Sequence, residues 1–154
     1  MDMPRPTEAH RQLERLVGVW TAEERLHPSP WDPLGGTAIG RVRNALALDG
    51  FAVVQDYEQE RHGRVNFRGH GIFRWDATEH CVVLHWFDSM GQPPDQFRGQ
   101  FEGHVLILSS SSEKGRIRVT WDFGEPGRYR YLMQVSPDGV QWFPVMEGEY
   151  VRQQ

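Results

Sequence analysis

"LVGVWTAEERL", residues 16–26, decides the fold. On its N-terminal side, Ala9, Leu13, Leu16 and Val17 recur at the spacing of one helical face. On its C-terminal side the apolar spacing drops to two, the period of a strand with one buried face. The pattern predicts a helix over 7–17, capped by Thr7 after Pro6. Glu8 lies in the first turn, where a carboxylate meets the positive end of the helix dipole. His10 stands where glutamate or glutamine would complete a capping box, so no full box is expected. Gly18 is the expected stop. A helix this short does not hold alone in water, so its apolar face must lie on something.

That support is a run of strands. Strand-like segments fall at 18–27, 37–47, 51–61, 64–75, 81–88, 96–102, 105–112, 116–123, 128–136 and 140–152. Turn chemistry separates them, as at Asp49-Gly50, His62-Gly63, Glu113-Lys114-Gly115 and Pro137-Asp138-Gly139. Strands joined by short turns, with no helix between them, cannot make parallel crossovers and form an antiparallel meander. Such a meander avoids open edges most simply by closing on itself. A two-sheet sandwich, the competing architecture, would need longer crossing connections. The expected fold is therefore all-β: an antiparallel up-and-down β-barrel of about ten strands with a short N-terminal helix. One domain is expected over 1–154, with the barrel occupying 18–152.

Composition narrows the partners. The net charge of −4 lacks the basic excess of a nucleic-acid binder. Cys81 is the single cysteine, so no intramolecular disulfide forms, as suits a reducing compartment. The segment "MDMPRPTEAHRQLERL" is charged throughout, unlike a secretory signal, and no apolar run reaches bilayer-spanning length. The expectation is a soluble cytoplasmic protein with no nucleic-acid or membrane partner.

None of the strong catalytic signatures occurs: no phosphate loop, no His-Glu-x-x-His, no Gly-x-Ser-x-Gly. The seven histidines show no metal-ligand spacing, so neither a metal site nor a catalytic set is assigned. His70 and His85 fall mid-strand and are the histidines of first interest. Glu24 shares parity with Trp20 and so points inward if Trp20 does. Arg68, Arg74, Arg98, Arg128 and Arg130 sit in strands among aromatic residues. An inward arginine would bind the polar head of a ligand, whereas outward ones would form Arg–Glu ladders. The loop within "WFDSMGQPPDQ" (86–96) is a candidate gate, with Met90 as an adaptable apolar lid and Asp88 as an alternative turn cap. The candidate lumen residues are Glu24, Phe73, His85, Trp86, Met90, Arg130, Tyr131 and Trp142. Parity alone does not assign each to the inside, because one bulge reverses every face beyond it.

Five stretches carry a resemblance: "HRQLERLVGVW" (10–20), "LDGFAVVQDY" (48–57), "WFDSMG" (86–91), "GRYRYLMQVSPDG" (127–139) and "MEGEYVR" (146–152). Together they resemble the DUF1579 family of small bacterial proteins, in the calycin superfamily of lipocalin-like barrels. That resemblance implies a barrel with a pocket and names no reaction and no cofactor. It further implies that Gly18 lets the helix approach the first strand. Trp20 would close the narrow end, with Arg152 packed across its indole. The leading functional expectation is a barrel that binds a small hydrophobic or amphipathic molecule. The alternatives are an enzyme using the cavity, with His85 or Glu24 as acid or base, and a filled barrel acting as a homodimer. A haem-binding, nitrobindin-like protein is a minor reading, since the chain has no histidine after His104.

Overall fold

A computed structural model describes residues 2–30, 32–112 and 115–154. A single α-helical turn, α1 (Glu8–Arg11), runs into a 3-10 segment (Gln12–Leu16). Ten strands follow: β1 (Gly18–Leu26), β2 (Gly36–Ala47), β3 (Ala52–Arg61), β4 (Arg64–Asp76) and β5 (Cys81–Asp88) form the first half. β6 (Asp95–Glu102), β7 (Val105–Ser112), β8 (Gly115–Asp122), β9 (Arg128–Ser136) and β10 (Phe143–Arg152) form the second. Each strand pairs antiparallel with the next, and β10 returns to β1, so the sheet is a closed barrel. The seam pairs Trp20 with Arg152, Thr21 with Val151 and Glu24 with Gly148.

The helix departs from the expected 7–17 in both form and cap. Leu13 and Leu16 are both fully buried, three residues apart, and a three-residue turn brings them into line on the barrel floor. The cap is a reciprocal one after all. The Thr7 backbone N–H donates to His10 Nδ1 at 3.0 Å, and the Thr7 hydroxyl lies 2.9 Å from the same nitrogen. A neutral imidazole thus does the work of the missing glutamate. Burial, with Arg11 beside it, lowers the His10 pKa and keeps that nitrogen free to accept.

Gly18 does not act as a left-handed helix cap. It is the first residue of β1, with φ of +147°, a conformation open to glycine. A β-carbon there would sit 3.0 Å from Arg152 Nη1 and 3.2 Å from Trp20 Nε1. Its missing side chain makes room for the indole–guanidinium stack. β10 begins three residues later than the expected 140, because the Asp138 carboxylate accepts from the N–H groups of Val140 (2.8 Å) and Gln141 (2.9 Å). Those two donors lead the causes that hold the Asp138 pKa below its ordinary value.

The inner faces of the strands fill the lower half of the barrel. Trp20, Val53, Phe73, Val82, Leu84, Leu106, Leu108, Val119, Trp121, Tyr129 and Tyr150 form one buried cluster over Leu13 and Leu16. Outside, Arg41 bridges Glu58 (3.2 Å) and Glu60 (3.1 Å), and Arg68 meets Glu58 (2.9 Å). These are rungs of an Arg–Glu ladder. Among the described residues no helix is long and apolar enough to cross a membrane.

Candidate functional site

Chain direction gives the barrel two unlike ends. The N-terminal helix and the turns after β2, β4, β6 and β8 lie at the floor. The turns after β1, β3, β5 and β9 ring the mouth. At the floor, Trp20 Nε1–H donates to the Leu16 carbonyl at 3.0 Å, and Asn44 Nδ2 donates to the same oxygen at 2.8 Å. The Arg152 guanidinium lies 4.5 Å from the Trp20 ring centroid. That carbonyl, at the end of the helical segment, therefore takes two side-chain donors from the wall and ties the plug to the barrel.

Above the filled half sits a polar layer. Glu24, on β1, has no exposed surface. Tyr57 Oη–H from β3 donates to Glu24 Oε1 (2.8 Å) with Oε2 at 2.9 Å, and Gln59 Nε2 donates to Oε1 at 3.1 Å. From β10, the Tyr150 hydroxyl donates to Oε2. Gly40, on β2, is what lets this layer form: a β-carbon there would overlap both Glu24 Oε2 and the Tyr150 hydroxyl. Asn66 Nδ2 in turn donates to Gln59 Oε1 at 3.1 Å. The Met146 sulfur lies 3.5 Å from Gln59 Nε2.

Burial raises the Glu24 pKa, and its three donors only partly oppose this. The tyrosines around it, Tyr57, Tyr129, Tyr131 and Tyr150, are all pushed up by burial and stay protonated. A raised carboxyl pKa means the folded chain holds the proton longer than the unfolded chain. Wild-type stability relative to Glu24→Gln should therefore fall as pH rises from the ordinary glutamate value of 4.5 through the folded pKa. Urea denaturation of both proteins at several pH values between 4 and 8 measures this. The pH-independent cost of turning an amide NH2 toward converging donors cancels in the slope. A wild type that gained on the variant with rising pH would contradict the assignment.

Higher still, the inner wall is aromatic and sulfur-bearing. Phe67, Trp86, Tyr131 and Met133 pack against the core yet keep part of their surface exposed. The Tyr57 ring lies 6.0 Å from Phe67 and 6.4 Å from Trp86, and Tyr131 lies 5.7 Å from Trp121. Trp86 lies across β4 because Gly69 and Gly71 present no side chains: a β-carbon on Gly69 would overlap the indole. Trp86 Nε1–H is fixed on Asp88 Oδ2 at 2.9 Å. A rim cavity of about 390 Å³ is lined by Glu23, Glu24, Arg25, Leu26, His27, Pro28, Gly36 and Thr37.

The structure sorts the sequence candidates by face. Glu24, Phe73, Trp86 and Tyr131 lie on the inner wall. His85 does not, because Leu84 and Trp86 on either side of it take the inner positions. It stands on the outer face, where its Nε2 accepts from Arg74 Nε at 2.9 Å. Burial, with Arg74 and Arg98 nearby, lowers its pKa. Arg130 alternates with inward Tyr129 and Tyr131 and is exposed on the outside. Arg68, Arg74, Arg98 and Arg128 likewise pair with outer carboxylates: Glu58, Asp76, Asp76 and Glu149. Met90 is exposed in the β5–β6 turn, where Asp88 Oδ1 accepts from its N–H at 3.0 Å. Trp142, in the β9–β10 turn, stacks on Arg118 of the outer face, whose guanidinium lies 4.0 Å from the ring centroid, rather than on the lumen wall. Glu24 and His85 face opposite sides of the sheet and make no acid–base pair.

Tyr57, Gln59, Met146 and Tyr150 escaped the sequence reading. Three of them, Tyr57, Met146 and Tyr150, lie inside the stretches that carry the family resemblance. Continuing the Trp20 parity across each hairpin would have turned them inward. A histidine-ligated haem does not fit this wall. Among the described residues no histidine lies on the inner face, since His70 pairs outside with Asp56 (2.8 Å) and His27 sits on Glu147 at the rim (2.7 Å).

Residues 5–152 match the family described as Protein of unknown function (DUF1579). The chain belongs to the DUF1579 family. No curated protein matches it in sequence. In fold, this DUF1579 chain is similar to Rv2717c from M. tuberculosis, with a TM-score of 0.73 at 15% identity, covering 96% of this chain and 99% of that one. It is also similar to the S-type phycobiliprotein lyase CPES from Guillardia theta, with a TM-score of 0.61 at 11% identity, covering 97% of this chain and 99% of that one. At such identities the likeness is one of fold. The DUF1579 chain shares the closed barrel, and its inner wall has to be read from its own residues.

Proposed function

We propose that this DUF1579 barrel binds a small amphipathic molecule in its upper half. The apolar body lies against Phe67, Trp86, Tyr131 and Met133, and the polar end lies toward the Glu24 layer. One observation carries the reading. Below Glu24 the inward side chains from Trp20 to Leu108 gather in one buried cluster, while above it Phe67, Trp86, Tyr131 and Met133 keep part of their surface exposed. Apolar wall with a few convergent polar groups is the usual composition of a small-molecule site.

Nile red, a neutral dye that brightens in apolar surroundings, tests this. Titration should give a saturable, one-to-one, blue-shifted signal. Met133→Trp fills the upper lumen and should abolish that signal while the far-ultraviolet circular dichroism stays that of the barrel. Equal dye binding by Met133→Trp would place the dye on the outer surface and remove support for an internal site.

A further inference from the structure

The inner wall has one sign of charge. Between the Trp20–Arg152 floor and the rim, no lysine, arginine or histidine among the described residues lies on the inner face, and Glu24 is its buried acid. At the mouth, Arg61 continues the inner parity of Tyr57 and Gln59. Asp32 at 2.7 Å and the Gly35 carbonyl at 3.0 Å take two of its donors and Asp32 balances its charge, while its Nε is buried without a partner. Asp88 stands beside Trp86 on the inner-face parity of β5. A ligand carboxylate at the depth of the Glu24 layer would therefore meet Glu24 and Asp88, and the Arg61 charge at the mouth is already balanced by Asp32. A buried carboxyl without a cationic partner is costly, and an incoming cation relieves that cost.

The hydrogen bonds refine the class. Both Glu24 oxygens already take donors from Tyr57, Gln59 and Tyr150, so little acceptor capacity remains for N–H groups of a ligand. Charge, rather than hydrogen bonding, is what the layer still offers. Around it stand the rings of Tyr57, Phe67, Trp86 and Tyr131, whose faces attract a diffuse organic cation. We infer that the ligand of this barrel carries a quaternary or tertiary ammonium head, seated among these rings above Glu24. The inference rests on the binding site proposed above and specifies the head group it takes.

Three probes with one tail decide it: dodecyltrimethylammonium, dodecanol and dodecyl sulfate, titrated calorimetrically below micelle-forming concentrations into the full chain at pH 7.5. The ammonium probe should bind at least about tenfold more tightly than either of the others, the scale of one desolvated cation–π contact. In Glu24→Gln the preference for ammonium over alcohol should shrink to less than about threefold. The selectivity of the unaltered protein decides the matter even if that variant does not fold. Sulfate or alcohol binding as tightly as ammonium would overturn the head-group assignment and leave the internal site standing. Binding of none of the three would overturn both.

Discussion

Trp20→Ala lowers stability by about 3–5 kcal/mol, the range for removing a large buried aromatic side chain. For a chain of this length that moves Tm down by on the order of 10 °C. The size follows from three losses at one position. The indole is 1% exposed and packs edge-on to Tyr129 with ring centroids 4.8 Å apart. Its N–H holds the Leu16 carbonyl, so that carbonyl loses one of its two side-chain donors from the wall. The Arg152 guanidinium is left over a void. Trp20→Phe separates the terms: it keeps most of the ring and deletes the donor, for a loss of about 1–2 kcal/mol. Thermal unfolding followed by circular dichroism measures both. A Trp20→Phe protein as stable as the wild type would show that the plug does not depend on its hydrogen bond.

Gly40→Ala is expected to cost about 2–4 kcal/mol, out of proportion to one added methyl group. Overpacking a well-filled site accounts for about 1–3 kcal/mol of it. The remainder comes from the hydrogen bond between Tyr150 and Glu24, because the new β-carbon would occupy the space of both acceptor and donor. The matched control is Gly63→Ala, in the exposed β3–β4 turn, where a β-carbon meets nothing within 4 Å although φ is +78°. Strain in that turn alone should cost about 1 kcal/mol. Urea midpoints for the two variants test the comparison. If Gly40→Ala were no worse than Gly63→Ala, the Glu24 layer would be looser than the geometry indicates. Loss of dye binding in Gly40→Ala at temperatures where it remains folded would tie the layer to the ligand site as well.

Much of the barrel is legible in the sequence. The switch of period at Gly18, and turn residues at short intervals, gave strand limits that mostly agree with the structure to within about a residue. They also gave the antiparallel order that closes β1 on β10. The misses share a cause. The first turn of β10 is held off the sheet by the Asp138 side chain, a local competition that hydrophobic period does not register. The N-terminal cap uses His10, whose fitness depends on the neutral imidazole that burial beside Phe51 favours.

Site residues were less legible, and neighbouring pairs show why. His85 and Trp86, or Arg130 and Tyr131, are equally plausible lumen residues by composition, yet adjacent residues on a strand cannot both face inward. Only the closed sheet, which gathers Trp20, Phe73 and Tyr129 into one buried cluster, chooses between them. Glu24 alone was placed correctly from parity, because it lies on the same unbroken strand as the plug. Its partners come from β3 and β10, 33 and 126 residues away along the chain.

The sequence by itself determined the number and order of the strands and the inward turn of Glu24, while the floor plug followed from the family resemblance. Period, turn chemistry and parity are local properties, carried by residues a few places apart. Tertiary structure alone decided that the inner wall carries a buried acid among aromatic rings rather than a lining of arginine. That outcome depends on which face of each of ten strands turns inward when the sheet closes, and on the gaps that Gly40 and Gly69 leave for side chains from other strands.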